Sequence, residues 1–209
     1  MHLNRMFVPG MIEFRAAEGD KPARIAGYAA VYYDGSPGSE FRIAPSLVER
    51  IAPGAFDETI GRDDVRGLFN HDPNMVLGRT SSRTMRISAD AKGLAYEIDL
   101  PDTQAGRDVG VIVGRHDVQG SSFAFSIPKG GEDWVDEPSR SIVTITRIER
   151  LFDVGPVTFP AYEGTSTEIR SNTESRLLQY AERIAIKARV REHELLMQLR
   201  VQELKVSRG

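Results

Sequence analysis

A chain of 209 residues holds one domain with a proper core plus an appendage, and is short for two full catalytic domains. It has no cysteine, which excludes disulfide frameworks, thiolate zinc sites and cysteine nucleophiles and suits a reducing cytoplasm. A formal net charge of -3 gives no global electrostatic reason to bind nucleic acid or an anionic membrane surface.

The opening residues, Met1 to Gly10, lack the sustained apolar stretch of a signal peptide, and no later segment reaches membrane-spanning length. A soluble chain that is not exported is expected. Ile25 to Tyr33 is small, β-branched or aromatic and is followed by Asp34 to Gly38, which reads as a strand and then a turn. In Pro45 to Ala55, Ser46 can cap a short helix carrying Leu47, Val48 and Ile51, with Pro53-Gly54 ending it. Strand-like runs recur at Val65 to Phe69, Met85 to Ile87, Leu94 to Ile98, Ser122 to Ile127, Ile142 to Ile148 and Leu151 to Phe159. Many short strands at such spacing suggest a barrel or a sandwich. Between them, Thr103 can cap a helix that places Ala105, Val109 and Val113 on one face, which makes the domain α+β.

Beyond Ser171 good helix formers run from Glu174 to Lys205. Leu177, Ala181, Ile184, Ala188, Leu195 and Leu199 form a seam that is interrupted around Arg191 to His193. A solvated helix and a partner-binding or coiled-coil helix both fit this tail. The division expected is an N-terminal segment over 1–22, one domain over 23–170 and a helical tail over 171–209.

Three residues stand out chemically. In Gly120 to Ile127, read as a strand, Phe123 and Phe125 choose the core side and take Ser121 with them, while Ser122, Ala124 and Ser126 share the other. Ser122 is then the better nucleophile, against the ordinary reading of a strand serine as a surface or turn residue. His71 ends an apolar run and precedes the turn sequence Asp72-Pro73-Asn74, where a neutral imidazole can take a serine proton and return it to a leaving amine. A histidine merely bonded to a turn carbonyl is the plainer alternative. Asp153 stands in the β-prone run Leu151 to Phe159, where its charge needs compensation. An imidazole N–H would supply it, and so would a salt bridge to Arg147 or Arg150.

These residues sit in pieces that resemble a family, the prohead (procapsid maturation) serine proteases of tailed phages. The resemblance runs from about Ile25 to Ile169. It is carried by Gly27-Tyr28-Ala29-Ala30-Val31, Ile51-Ala52-Pro53-Gly54-Ala55-Phe56, and Leu68-Phe69-Asn70-His71-Asp72 leading to Val76-Leu77-Gly78-Arg79-Thr80. Gly120-Ser121-Ser122-Phe123-Ala124-Phe125 and Asp153-Val154-Gly155-Pro156-Val157-Thr158-Phe159-Pro160-Ala161-Tyr162 complete it. Ser121 stands where the family usually has methionine, and Ala124 where it usually has glycine.

The resemblance implies a catalytic set of His71, Ser122 and Asp153 and a compact, mostly antiparallel β-barrel with flanking helices, similar in plan to the herpesvirus assemblins. It also implies cleavage of capsid and scaffold segments inside the procapsid in the bacterial host, self-processing, and a homo-oligomer such as a dimer. Neither a metal nor a cofactor is expected, nor a nucleic-acid or membrane partner. Three rivals stand beside it. His116 could replace Asp153 as third member. The pairs His71-Asp72 and His116-Asp117 are of the type that bind metal in helical phosphohydrolases, although both flank strand and turn sequences here. A non-catalytic capsid-assembly or scaffold-binding module with a protease-like fold is the last.

Overall fold

The structure is a computed structural model that describes residues 4–8, 12–159 and 167–206. In chain order its strands are β1 (Asn4–Val8), β2 (Ile12–Arg15), β3 (Arg24–Val31), β4 (Phe41–Ala44), β5 (Leu47–Ile51), β6 (Arg66–Leu68) and β7 (Val76–Arg79). There follow β8 (Met85–Ala89), β9 (Gly93–Asp99), β10 (Gly120–Ser126), β11 (Glu132–Asp136), β12 (Ser141–Ile145) and β13 (Arg150–Val157). Helix α1 (Gln104–Gly114) lies between β9 and β10, and α2 (Thr167–Val206) comes after β13. The chain is thus mixed α+β and mostly sheet.

Among the described residues the ladders form three sheets, ordered β1-β10-β13-β6-β7, β11-β12-β5-β4 and β2-β3-β9-β8, and no closed barrel. Most pairs are antiparallel, but β13 runs parallel to β6 and β12 parallel to β5. Met6, Phe56, Phe123, Phe125, Ile25 and Ile98 are fully buried in one cluster with residues from all three sheets. Phe123 and Phe125, two apart on β10 and so on one face, stack with ring centroids 4.6 Å apart.

The helix expected over Pro45 to Ala55 is a strand instead. Leu47–Ile51 pairs on one side with β12 and on the other with β4, burying Leu47, Val48 and Ile51. A short apolar run fits a buried strand and a helix equally, and an isolated short helix is marginal, so ladder pairing on both edges decides it. The helix expected after Thr103 does form. The Thr103 hydroxyl accepts from the Gly106 N–H at 3.2 Å, and Val109 and Val113 are buried. It ends at His116, whose φ of 64° is the left-handed cap conformation.

The chain divides into two compact units, Met1–Asn172 and Thr173–Gly209. The second is helical, and α2 begins earlier than the tail pattern suggested, at Thr167. Its seam positions Leu177, Ile184, Leu195 and Leu199 are exposed.

Candidate active site

β10 is buried along its whole length, so each of its side chains must find an apolar surface or a polar partner. On the phenylalanine face Ser121 meets the Tyr96 hydroxyl at 2.7 Å, both groups buried. Burial raises the Tyr96 phenol above its ordinary range, partly opposed by that hydrogen bond. Ser122 faces the other way, toward a neighbourhood set by β13. There Ala124 pairs with Asp153 and Ser122 with Gly155, so these four positions share one face.

Strict alternation would put Leu151 and Asp153 on the same face, and it does not hold here. The register between β10 and β13 shifts between Ala124 and Phe125: Phe125 pairs with Leu151, Ala124 with Asp153, and Phe152 is the extra residue. That bulge lets Leu151 fill the core beside Phe125 while Asp153 turns to the serine side. Neither expected arginine neutralises Asp153. Arg150 lies over the Phe152 ring, and Arg147 reaches toward Glu58.

His71 arrives from the far side of β13. Because β6 runs parallel to β13, the chain leaving Leu68 travels along β13 toward Pro156, whose carbonyl accepts from the Asn70 N–H at 2.9 Å. The crossing depends on Gly155. A Cβ there would stand 2.0 Å from the Leu68 carbonyl oxygen, so only glycine admits the turn. Asn70 and His71 then both adopt left-handed backbone, with φ of 53° and 58°, a conformation that asparagine and histidine tolerate better than most residues. Asn70 holds it by donating from Nδ2 to Thr158 Oγ1 at 3.1 Å and accepting the Thr158 N–H at 2.8 Å. Asp72 closes the turn by accepting from Asn74.

The three candidate side chains meet. His71 Nδ1 lies 2.5 Å from Asp153 Oδ1 and Nε2 lies 2.8 Å from Ser122 Oγ. Since an ionised carboxylate can only accept, Nδ1 carries the hydrogen and a neutral ring turns a bare Nε2 to the hydroxyl. The group is covered: Ser122 is 2% exposed, and the side chains of His71 and Asp153 are 8% and 10% exposed. Ser122 Oγ also lies 2.6 Å from the Met6 carbonyl oxygen, an acceptor on β1. Such a set can take a proton from a hydroxyl and deliver it to a leaving group.

His116 is exposed at the end of α1, while His71 Nδ1 is taken by Asp153. Asp117 pairs with Arg115, and among the described residues no group of three or more His, Asp or Glu side chains could hold a metal ion. Arg79 pairs with Asp64 at the base of the β6–β7 hairpin, lowering the Asp64 carboxyl well below its usual range. Gly155, Asn70 and Met6 were not singled out as site residues by the sequence. Only Gly155 left a signal, as a glycine inside a β-prone run.

No curated protein matches the chain. Among solved structures, the bacteriophage T4 capsid assembly protease gp21 is similar with a TM-score of 0.41 and 13% identity, over 76% of this chain and 97% of that one. The model of the family described as caudovirus prohead serine protease matches residues 11–179. That span takes in Ser122, His71 and Asp153 together with Gly155 and the Asn70 turn, and the chain belongs to the caudovirus prohead serine protease family.

Proposed function

We propose that the chain is a serine endopeptidase in which Ser122 is the nucleophile, His71 its base and Asp153 the group that orients the base. The observation that carries this reading is the unbroken run of contacts from the Asp153 carboxylate through the His71 ring to the Ser122 hydroxyl. Ser122 Oγ attacks a peptide carbonyl carbon as its proton passes to Nε2, and the proton then goes to the departing amine. Water repeats the sequence on the acyl-enzyme. Asp153 keeps the hydrogen on Nδ1 and balances the charge the ring acquires.

Family membership supports substrates among the capsid and scaffold proteins of the procapsid, met inside the immature shell in the host cytoplasm. Self-processing and a homo-oligomeric enzyme belong to the same proposal. So do a protease domain over 23–170, with a segment over 1–22 before it and a tail over 171–209 after it, and a barrel of the assemblin kind. In favour of the barrel, β1 at one edge of the five-stranded sheet lies against β3, and β7 at the other lies against β8 and β9.

One observation favours the second reading, a non-catalytic assembly module: Ser122 is almost wholly covered. Incubating the wild-type chain, Ser122→Ala and Ser121→Ala with the capsid and scaffold proteins of the same phage, and mapping new termini by mass spectrometry, separates the two. A peptidase gives termini with wild type and Ser121→Ala and none with Ser122→Ala. An assembly module gives none with any of them.

A further inference from the structure

Every residue of α2 from Ile184 to Arg200 is exposed, although a helix takes most of its stability from packing an apolar face. Most of the large apolar side chains that the chain exposes stand on this helix, Leu195 at 58% and Ile184 at 47% among them. Leu177, Ala181, Ile184, Ala188, Leu195 and Leu199 fall within a stripe about 60° wide, at about 100° of turn per residue, and it runs about 33 Å along the axis. We propose that this stripe is an interface between two copies of the chain, whose α2 helices pair antiparallel about a two-fold axis level with the Arg191-Glu192 peptide. This gives the homo-oligomer proposed above its surface, and rests on that reading and not on the roles of Ser122, His71 and Asp153.

The order of residues along the stripe singles out a second copy as the occupant. Counted from the Arg191-Glu192 peptide, it reads alike in both directions: Ala188 and Leu195 stand equally far from it, and so do Ile184 and Leu199. A two-fold antiparallel pair uses this symmetry, because it sets each position against the mirror position of its partner. Ala188 then meets the partner's Leu195, so a small residue faces a large one and the seam fills. A parallel pair in register sets Ala188 against its own copy and leaves a gap.

The charges beside the stripe point the same way. In helical projection Arg191 and Glu194 lie on one flank and Arg189 and Glu192 on the other, and like flanks meet in a two-fold antiparallel pair. Arg191 thus comes within a turn of the partner's Glu194, and Arg189 within a turn of the partner's Glu192. The polar interruption of the apolar pattern becomes the centre of the interface, where rim charges fix register more than they add affinity. Ile186, Val190 and Met197 lie on the opposite face, outside this contact.

Sedimentation equilibrium of the full chain, up to about 100 µM, reads the assembly state. Wild type is expected to be a dimer. The variant Ile184→Asp, Leu195→Asp should have a dissociation constant at least about 100-fold higher, because pairing would bury carboxylates from both copies. Both positions are exposed in the single chain, so this variant keeps its fold, which circular dichroism checks. Ile186→Asp, on the opposite face, should stay dimeric. A dimer that survives Ile184→Asp, Leu195→Asp, or that Ile186→Asp dissociates equally, overturns the tail interface and leaves the homo-oligomer standing. A wild-type chain that is monomeric throughout the range removes both. The chain has no cysteine, so Ala188→Cys, Leu195→Cys in one chain reports the direction of pairing. On one helix these positions are about 10 Å apart, beyond disulfide reach, so a disulfide between them joins two chains. Mild oxidation and peptide mass mapping are expected to find that link. Links between like positions, 188 to 188 and 195 to 195, mark a parallel pair and overturn the antiparallel proposal.

Discussion

At Gly155 a single missing methyl group decides whether the imidazole can reach the serine. A Cβ there would meet backbone, the Leu68 carbonyl, and backbone cannot rotate away as a side-chain tip can. Gly155→Ala should therefore cost about 1–3 kcal/mol of stability, as overpacking does, and lower kcat/KM by about 100-fold or more through displacement of His71. Urea unfolding and peptide hydrolysis measured on one preparation check both parts; full activity would mean that the turn does not cross at this glycine. If Asp153 orients the base as proposed, Asp153→Asn should lose about 10⁴ in turnover, the size known for the change of a triad aspartate to asparagine in serine proteases. A loss below about tenfold would make Asp153 a structural carboxylate. Tyr96 gives a pH test of the opposite face. Its folded-state pKa is raised, so the native state keeps a proton that the unfolded chain loses above about pH 10, and stability must fall as pH rises through that range. Tyr96→Phe should flatten the alkaline fall while costing about 1–3 kcal/mol at neutral pH, because the buried Ser121 hydroxyl loses its partner. Denaturation midpoints at a series of pH values read both effects.

Elements decide what residues alone could not. The alternation of Ser122 against Phe123 was visible in the sequence because two phenylalanines flank a small residue with period two. The aspartate was visible because β-prone runs seldom carry one. The bulge was not visible: nothing in Leu151-Phe152-Asp153 says that Phe152 is the unpaired residue, and strict alternation applied to that run gives the wrong face. Deleting Phe152 makes Leu151 and Asp153 consecutive in a regular strand, which alternation still puts on opposite faces, so a folded chain should keep far more turnover than Asp153→Asn does. A loss as large as that of Asp153→Asn would show that the extra residue sets the position of the carboxylate and not only its face. β5 was misread as a helix for a related reason. Leu47, Val48 and Ile51 fit both periods, and what decides between them are two partner strands far along the chain.

On the scale of the whole molecule, β3, β6, β8, β9, β10, β12 and β13 were legible as strands, whereas β1, β2, β4, β5, β7 and β11 were not, and no strand pairing was. The parallel pairs β13–β6 and β12–β5 join segments distant in sequence, and no local pattern names a partner at that range. The position of His71 depends on one of these pairs, so its meeting with Ser122 followed from the resemblance and not from periodicity. The helical tail was legible from composition, although its start was not. Every buried apolar residue among the described ones lies at or before Val157. Removing Thr173–Gly209 should accordingly shift the thermal midpoint of the remaining unit by less than about 3 °C, the change that ~1 kcal/mol produces in a domain of this size. Calorimetry of the two chains checks this, and a much larger fall would assign the tail a share of the core's stability.

The roles proposed for His71 and Asp153 depend on which oxygen is the nucleophile. Treating the full chain with a fluorophosphonate and locating the adduct by peptide mass mapping measures this directly. The prediction is one adduct per chain, on Ser122, lost in His71→Ala and retained in Ser121→Ala. An adduct on Ser121 or any other residue, or labelling of Ser122 that is indifferent to His71, would contradict it.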